Sequence, residues 1–207
     1  MHIALFGATG RVGARVLEYA LAEGHRVTAL ARDPAKVPAR SELTVIQGDV
    51  LDLDAVRRTI RGADAVISTL GGAGLADPGT AQSQGMRNII AVMTELGVQR
   101  VLGVAGGGIL DSIHGGLRHD QPGFPAMFKP VSDRHAEAWH AMRDSDREWT
   151  MVATGNIVEG ERTGTYRTLE NKLPAGSTSI SVEDVADLLL KALREGLHLR
   201  TRVGAGY

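Results

Sequence analysis

The 207-residue chain is predicted to fold as a single α/β domain, a doubly wound parallel sheet with helices on both faces. Three observations predict this. Short apolar runs alternate with stretches of helical period along the whole chain. A turn with glycines at positions 7, 10 and 13 directly follows the first apolar run. The composition, 43% hydrophobic and 23% charged, is that of an ordinary globular core.

What is scarce in the sequence narrows the function. Lys plus Arg number 23 against 24 Asp plus Glu, so no net field selects nucleic-acid phosphates or anionic lipid. Neither a nucleic acid nor a membrane is expected as a partner. The absence of cysteine excludes disulfides, thiolate metal sites and a thiol nucleophile. The chain opens directly on His2-Ile3-Ala4-Leu5-Phe6, and nowhere do 18 apolar residues follow one another, so a soluble, cytoplasmic protein is expected.

The elements follow in order. Residues 3–6 and 26–31 read as strands, and between them Val12, Val16, Leu17, Ala20 and Leu21 fall on one helical face until Gly24 offers a left-handed stop. That is one βαβ unit. Residues 43–47 read as strand, 53–61 as a helix capped by Asp52, and 65–69 as strand. A longer helix begins near Pro78, buries Met86, Ile89, Ile90, Met93 and Leu96, and ends at Gly97. Residues 101–105 are strand. Residues 106–131 then break the rhythm with Gly106-Gly107-Gly108, Gly115-Gly116 and prolines at 122, 125 and 130, and read as a long mobile loop over a binding site. A helix over 132–144 with Ser132 and Asp133 as caps, a strand over 148–153, and a helix over 182–195 behind Ser181 complete the pattern, with 199–203 as an edge strand.

The glycine turn carries the chemistry. With 26 glycines in 207 residues, roughly 0.4 triples of this spacing arise by chance, so the spacing alone says little. Its place between the strand and helix of the first βαβ unit says more. There Gly7 permits the tight turn, Gly10 lets the backbone approach a pyrophosphate, and Gly13 lets the helix pack close to the sheet, as in a Rossmann fold. The helix N-terminus adds unpaired N–H groups and partial positive charge.

The tip of the second strand discriminates between cofactors. A carboxylate there would accept from a ribose 2′-hydroxyl, whereas an arginine would meet a 2′-phosphate. The tip reads Arg32-Asp33-Pro34. Asp33 stands at about the right distance for the NAD-type acid, but Asp before Pro also starts a helical turn. Arg32, supported by Lys36 and Arg11, is the favoured phosphate partner, so NADP(H) is expected in preference to NAD(H). Asp49 in Gly48-Asp49-Val50 would face adenine, and Leu70-Gly71-Gly72 would allow the backbone close to a ribose.

The runs Gly7-Ala8-Thr9-Gly10-Arg11-Val12-Gly13, Arg32-Asp33, Gly48-Asp49-Val50 and Gly85-Met86-Arg87-Asn88-Ile89 resemble the atypical, short members of the short-chain dehydrogenase/reductase superfamily. Within it the chain is similar to NAD(P)H-binding proteins of the biliverdin-IXβ reductase and NADPH:flavin reductase type, and more distantly to NmrA-like redox sensors. The resemblance runs from residue 3 to about 195, and is thin beyond 105. It implies that Gly7, Thr9, Gly10, Arg11 and Val12 wrap the pyrophosphate. It further implies that Arg32 and Lys36 hold the 2′-phosphate, Asp49 and Val50 the adenine, and Leu70, Gly71 and Gly72 the adjoining ribose.

The departures fall on catalysis. The Tyr-x-x-x-Lys pair of the superfamily is missing, since Tyr19 is followed four on by Glu23 and Tyr166 by Glu170. Where the biliverdin reductase-like proteins carry a serine and a histidine, this chain has Gly106 and Asn156. Ala153-Thr154-Gly155 replaces an Arg-Pro-Gly of many relatives. Gly106 and Thr154 would thus border the nicotinamide, and Asn156 and His135 are the catalytic candidates. His135 either donates a proton or is a solvent-facing helix residue.

Without those residues a carbonyl reductase would lose its positioned acid, typically ~10²- to 10⁴-fold. A flavin or quinone acceptor instead absorbs charge in its own conjugated ring, so the protein need only hold two planar rings face to face. A reductase of such a small-molecule acceptor, with flavin as a substrate, is therefore expected, its pocket lined by Arg118, His119, Met127, Phe128 and Trp139. The alternative is a non-catalytic NADP(H) sensor. A monomer or homodimer is expected. The pairs His135/His140 and His114/His119, each five apart, do not suggest a metal site.

Overall fold

The computed structural model describes every residue except Ala73. Ten strands are present among the described residues: β1 (His2–Phe6), β2 (Arg26–Ala31), β3 (Leu43–Gln47), β4 (Ala65–Ser68), β5 (Arg100–Gly106), β6 (Glu148–Thr154), β7 (Asn156–Val158), β8 (Arg167–Glu170), β9 (Ser179–Ser181) and β10 (Thr201–Gly206). Five α-helices join them: α1 (Arg11–Ala22), α2 (Leu53–Ile60), α3 (Ser83–Leu96), α4 (Lys129–Arg143) and α5 (Val182–Arg194).

Eight strands form one sheet in the order β3-β2-β1-β4-β5-β6-β10-β8, with every pairing parallel except β10 with β8. The Rossmann arrangement expected from the sequence is therefore present. Alternate residues of β1 serve the two faces. Ile3 and Leu5 pack with Val16 and Leu17 of α1 and Val185 and Leu189 of α5. Ala4 and Phe6 pack with Ile60 of α2, Met86, Ile89 and Met93 of α3, and Met142 of α4. Each such large aliphatic side chain contributes about 1.5–3 kcal/mol of burial, so two cores of this size hold the sheet between its helices.

The predicted caps are formed. Asp52 accepts from Asp54 N at 2.9 Å, Ser181 accepts from Asp184 N at 3.0 Å, and Gly24 and Gly97 adopt φ of +78° and +74°. The helix expected from Pro78 has its regular turns from Ser83, although its hydrogen-bond ladder already reaches back to Thr80 through Gln84 N at 2.8 Å.

Two expectations are corrected. Ser132 and Asp133 do not cap α4 but lie inside it, because Pro130 occupies its first turn, where a missing N–H costs nothing. The C-terminal strand is not at the edge. β10 is buried throughout, between β6 and β8, and a Cβ added at Gly204 would lie 2.0 Å from Lys172 O. Glycines that look like turn residues are there to admit a neighbouring backbone. The edge is instead β8, with all four residues exposed, and the chain also forms a small parallel pair, β7 with β9. Residues 107–128 hold three single 3₁₀ turns, at Gly107–Ile109, Arg118–Asp120 and Ala126–Phe128. Arg202 of β10 anchors the segment's start through Ile109 O and through Asp111 Oδ1 at 2.7 Å.

Candidate active site

The sheet reverses its winding between β1 and β4, whose neighbours in sequence run off to opposite edges, and the carboxyl ends of such strands border a crevice. Here that crevice is a cleft of about 550 Å³. Its walls include Gly7, Thr9, Gly10, Arg11 and Val12; Arg32; Leu70, Gly71 and Gly72; Gln82; Ala105 and Gly106; and His135, Thr154 and Ile157. A smaller adjoining hollow of about 110 Å³ is lined by Arg32, Gly48, Asp49, Val50 and Leu70.

The first wall is built by backbone geometry. Gly7 has φ +92°, a region L side chains avoid, and its carbonyl accepts from Gly10 N at 2.9 Å. A Cβ on Gly13 would lie 2.1 Å from Gly7 O, so only glycine lets α1 start this close to β1. A Cβ on Gly10 would meet nothing nearer than Gly7 O at 3.3 Å. No acceptor among the described residues meets the N–H of Arg11, Val12 or Gly13, and no acidic residue stands in the first turn of α1. These free donors, with the helix dipole behind them, suit a phosphate group.

At the tip of β2, Arg32 is exposed and faces both hollows, with no ion-pair partner among the described residues. The Asp33 carboxylate turns back to accept from Ala35 N at 3.2 Å, capping the turn Pro34–Lys36. That turn carries Lys36 out of the cleft, into a groove on the outer side of α1 that meets the cleft only at Thr9. Arg11 is also diverted. Its Nε donates to Glu159 Oε1 at 2.8 Å and its Nη2 to Ile157 O at 3.2 Å, closing a contact across the cleft mouth. Asp49 accepts from Leu51 N at 2.9 Å, and its loop is braced by Asn88 Nδ2, which donates to Val50 O at 2.9 Å. Gly85 admits that loop, since a Cβ there would meet Val50 at 2.8 Å.

The other end of the cleft is built by side chains. His135 reaches from α4, and its Nδ1 accepts from Gly106 N at 2.9 Å. Accepting there places the ring proton on Nε2, and burial pushes the imidazole pKa down to about 4. At neutral pH His135 is therefore an uncharged donor rather than an acid, and it is half-buried in the cleft wall rather than facing solvent. Asn156 is not part of the lining. Gly155 and Ile157 border the cleft, so strand alternation directs Asn156 outward, where it is exposed and its N–H donates to Thr178 O at 2.9 Å. Trp139 and His119 belong to the interior. Trp139 is core under the Arg202 guanidinium, 4.1 Å from the ring centroid, and His119 is 6% exposed beside Phe124. Arg118, Met127 and Phe128 are exposed. Gln82 was missed in the sequence because nothing in the local pattern marks it. Among the described residues no group of three His, Asp or Glu side chains is placed to hold a metal, and no helix is long and apolar enough to cross a membrane.

Fold and cleft together define a nucleotide-binding Rossmann protein. The family profile described as NAD(P)H-binding matches residues 7–196, and the chain belongs to that family. YwnB of Bacillus subtilis is 28% identical over 212 residues, covering 98% of this chain and 96% of its own. A Streptococcus pneumoniae structure provisionally named an NADH-flavin reductase is 27% identical with a TM-score of 0.85, covering 100% of this chain and 99% of that one. An anaerobillin reductase of Escherichia coli O157:H7, at 24% identity and a TM-score of 0.82 over 99% of this chain and 96% of that one, shares the fold. A 3β-hydroxysteroid dehydrogenase/isomerase of Mycobacterium tuberculosis is 32% identical over 110 residues, which is 48% of this chain but only 30% of that enzyme.

Proposed function

We propose that the chain is an NADPH-dependent reductase that passes hydride to a flavin, a quinone or a similar conjugated acceptor. The observation that carries the reading is the pairing of two ends in one cleft, a helix N-terminus with free N–H groups and a neutral histidine donor. The likeness to the S. pneumoniae protein supports a flavin-type acceptor.

The residues fit the cofactor. The N–H groups of Arg11, Val12 and Gly13 would hold the pyrophosphate, with Thr9 and Gly10 beside it. Arg32 would pair with a 2′-phosphate, and the diversion of Asp33 into a cap removes the acid that would favour NAD(H). Asp49 and Val50 would border adenine, and Leu70 to Gly72 its ribose. Gly106 and Thr154 would floor the nicotinamide end. When bound, NADPH supplies the hydride.

The protein's share of the chemistry is orientation. His135 presents Nε2–H at the cleft wall, placed to hydrogen-bond a ring carbonyl or nitrogen of an acceptor on which negative charge develops. Gly106 lacks a side chain, which leaves room for a planar ring above the nicotinamide position. A Cβ there would meet the His135 ring at 3.3 Å. Steady-state oxidation of NADPH with FMN, riboflavin and small quinones tests the reading. Turnover well above the rate without protein is expected, whereas NADPH binding with no turnover for any acceptor would replace the reductase with a sensor. The Arg11 contact to Glu159, which ties the phosphate turn to the segment after β7, is the observation that favours a sensor.

A further inference from the structure

Gln82 stands at the mouth of α3 in helical conformation, φ −75° and ψ −50°, and its backbone carbonyl already accepts from Met86 N at 3.1 Å. Its side chain is equally constrained. Nε2 donates to Val104 O on β5 at 3.1 Å, and a carbonyl neighbour fixes which end of the amide faces it. The opposite end, Oε1, is buried and has no hydrogen-bond partner among the described residues, although Gln82 as a whole is only 5% exposed and lines the cleft. Buried acceptors without partners are uncommon in folded proteins. Among the described residues the other buried orphans are Arg100 Nε, His119 Nδ1, Trp139 Nε1 and Trp149 Nε1, and none of these residues lines the cleft.

We infer that Gln82 is a cofactor-binding residue. Its Oε1 accepts a hydrogen bond from a ribose hydroxyl on the nicotinamide side of the bound dinucleotide. The inference rests on the functional reading above and extends it to one atom. Charge decides which part of the ligand faces Gln82. An amide oxygen repels phosphate, and the free N–H donors that attract phosphate lie at the other end, on α1. Position decides which ribose. Gln82 is tied to β5, the strand that carries Gly106, and borders the end of the cleft that holds His135 and Thr154. The adenine hollow, lined by Asp49 and Val50, does not include it. A hydroxyl donor placed there satisfies an oxygen that the fold alone leaves unpaired. It also fixes the sugar that sets the nicotinamide ring against its acceptor.

The test is titration calorimetry of the wild-type chain and of Gln82→Met, which keeps an unbranched side chain and removes both amide ends. NADP⁺ and adenosine 2′,5′-bisphosphate, which lacks the nicotinamide half, are the two probes. We expect NADP⁺ affinity to fall roughly three- to tenfold, the worth of one hydrogen bond, with affinity for the bisphosphate unchanged. Unchanged NADP⁺ affinity, or an equal loss for both ligands, overturns the inference. Should Gln82→Met fail to fold, the side-chain amide resonances of Gln82 in the wild-type chain, correlated to its backbone, give the same answer. They should shift with NADP⁺ and not with the bisphosphate, and the absence of any shift overturns the inference. A wild-type chain that binds neither NADP⁺ nor NAD⁺ removes the functional reading itself. Binding that is indifferent to Gln82 removes only this assignment.

Discussion

The two ends of the cleft are made by different means. The end from Gly7 to Gly13 is a backbone device, in which three glycines and a helix start leave main-chain N–H donors free. The opposite end is assembled from β5, α4, the segment after β6 and the start of α3, and depends on the hydrogen bonds of His135 and Gln82. A backbone device tolerates almost no added atoms, whereas a side-chain device tolerates substitution of anything that does not touch the ligand. The contrast orders the expected consequences of mutation.

The largest effect should come from the glycines, and should split them. Gly10→Val places its side chain where only Gly7 O is near, so it should fill the proposed phosphate position, abolish NADPH and NADH binding, and lower the melting temperature far less than Gly13→Val does. Gly13→Val forces a carbon to within 2.1 Å of a carbonyl oxygen and should destabilise the fold itself. Thermal melts and calorimetry of the two variants check this. Equal loss of stability in both would erase the distinction between a site glycine and a packing glycine.

Next is Arg32→Ala. Removing a charge-assisted contact to a 2′-phosphate should cost ~1 to 3 kcal/mol of NADPH affinity, about 5- to 150-fold, and spare NADH. Parallel losses for the two cofactors in calorimetry would take Arg32 out of cofactor discrimination.

At the opposite end, if the proposed reaction holds, His135→Phe should lower turnover of a flavin acceptor about tenfold or more while leaving NADPH affinity within a few-fold. Its effect on stability has a definite sign. The folded pKa is depressed to about 4 against an ordinary value near 6.5, so between these values the unfolded chain holds a proton that the folded chain does not. Stability contributed by neutral His135 is present above about pH 6.5 and is lost as pH falls towards 4. Denaturant midpoints measured from pH 7 to pH 4.5 should fall for the wild type and fall less steeply for His135→Phe. Parallel curves would mean that the imidazole titrates normally.

The smallest effect is expected at Asn156, whose neighbours rather than itself border the cleft. Asn156→Ala should change neither turnover nor NADPH affinity by more than about twofold, as for most surface changes. A clear loss of turnover would place its side chain back in the site.

The legibility of the two ends differs for the same reason as their tolerance. The turn Gly7 to Gly13, the caps at Asp52 and Ser181, and the alternation of strands and helices through residue 105 are local patterns, and each was readable from neighbours in sequence. Lys36 and Asn156 were misplaced by one local event each, a 3₁₀ turn begun by Asp33-Pro34 and the alternation of β7. β8 has no apolar face to betray it, and β10 hides its interior position behind Gly204 and Gly206. Gln82 carries no motif at all, and its partner lies 22 residues away.

By itself, then, the sequence determined the first five strands, the helices that join them and the glycine turn, because these depend on steric rules and hydrophobic period that act within one βαβ unit. Only the tertiary structure decided the protonation state of His135, the free oxygen of Gln82 and the interior place of β10. Burial and hydrogen bonding depend on which distant segments the fold brings to the same wall of the cleft.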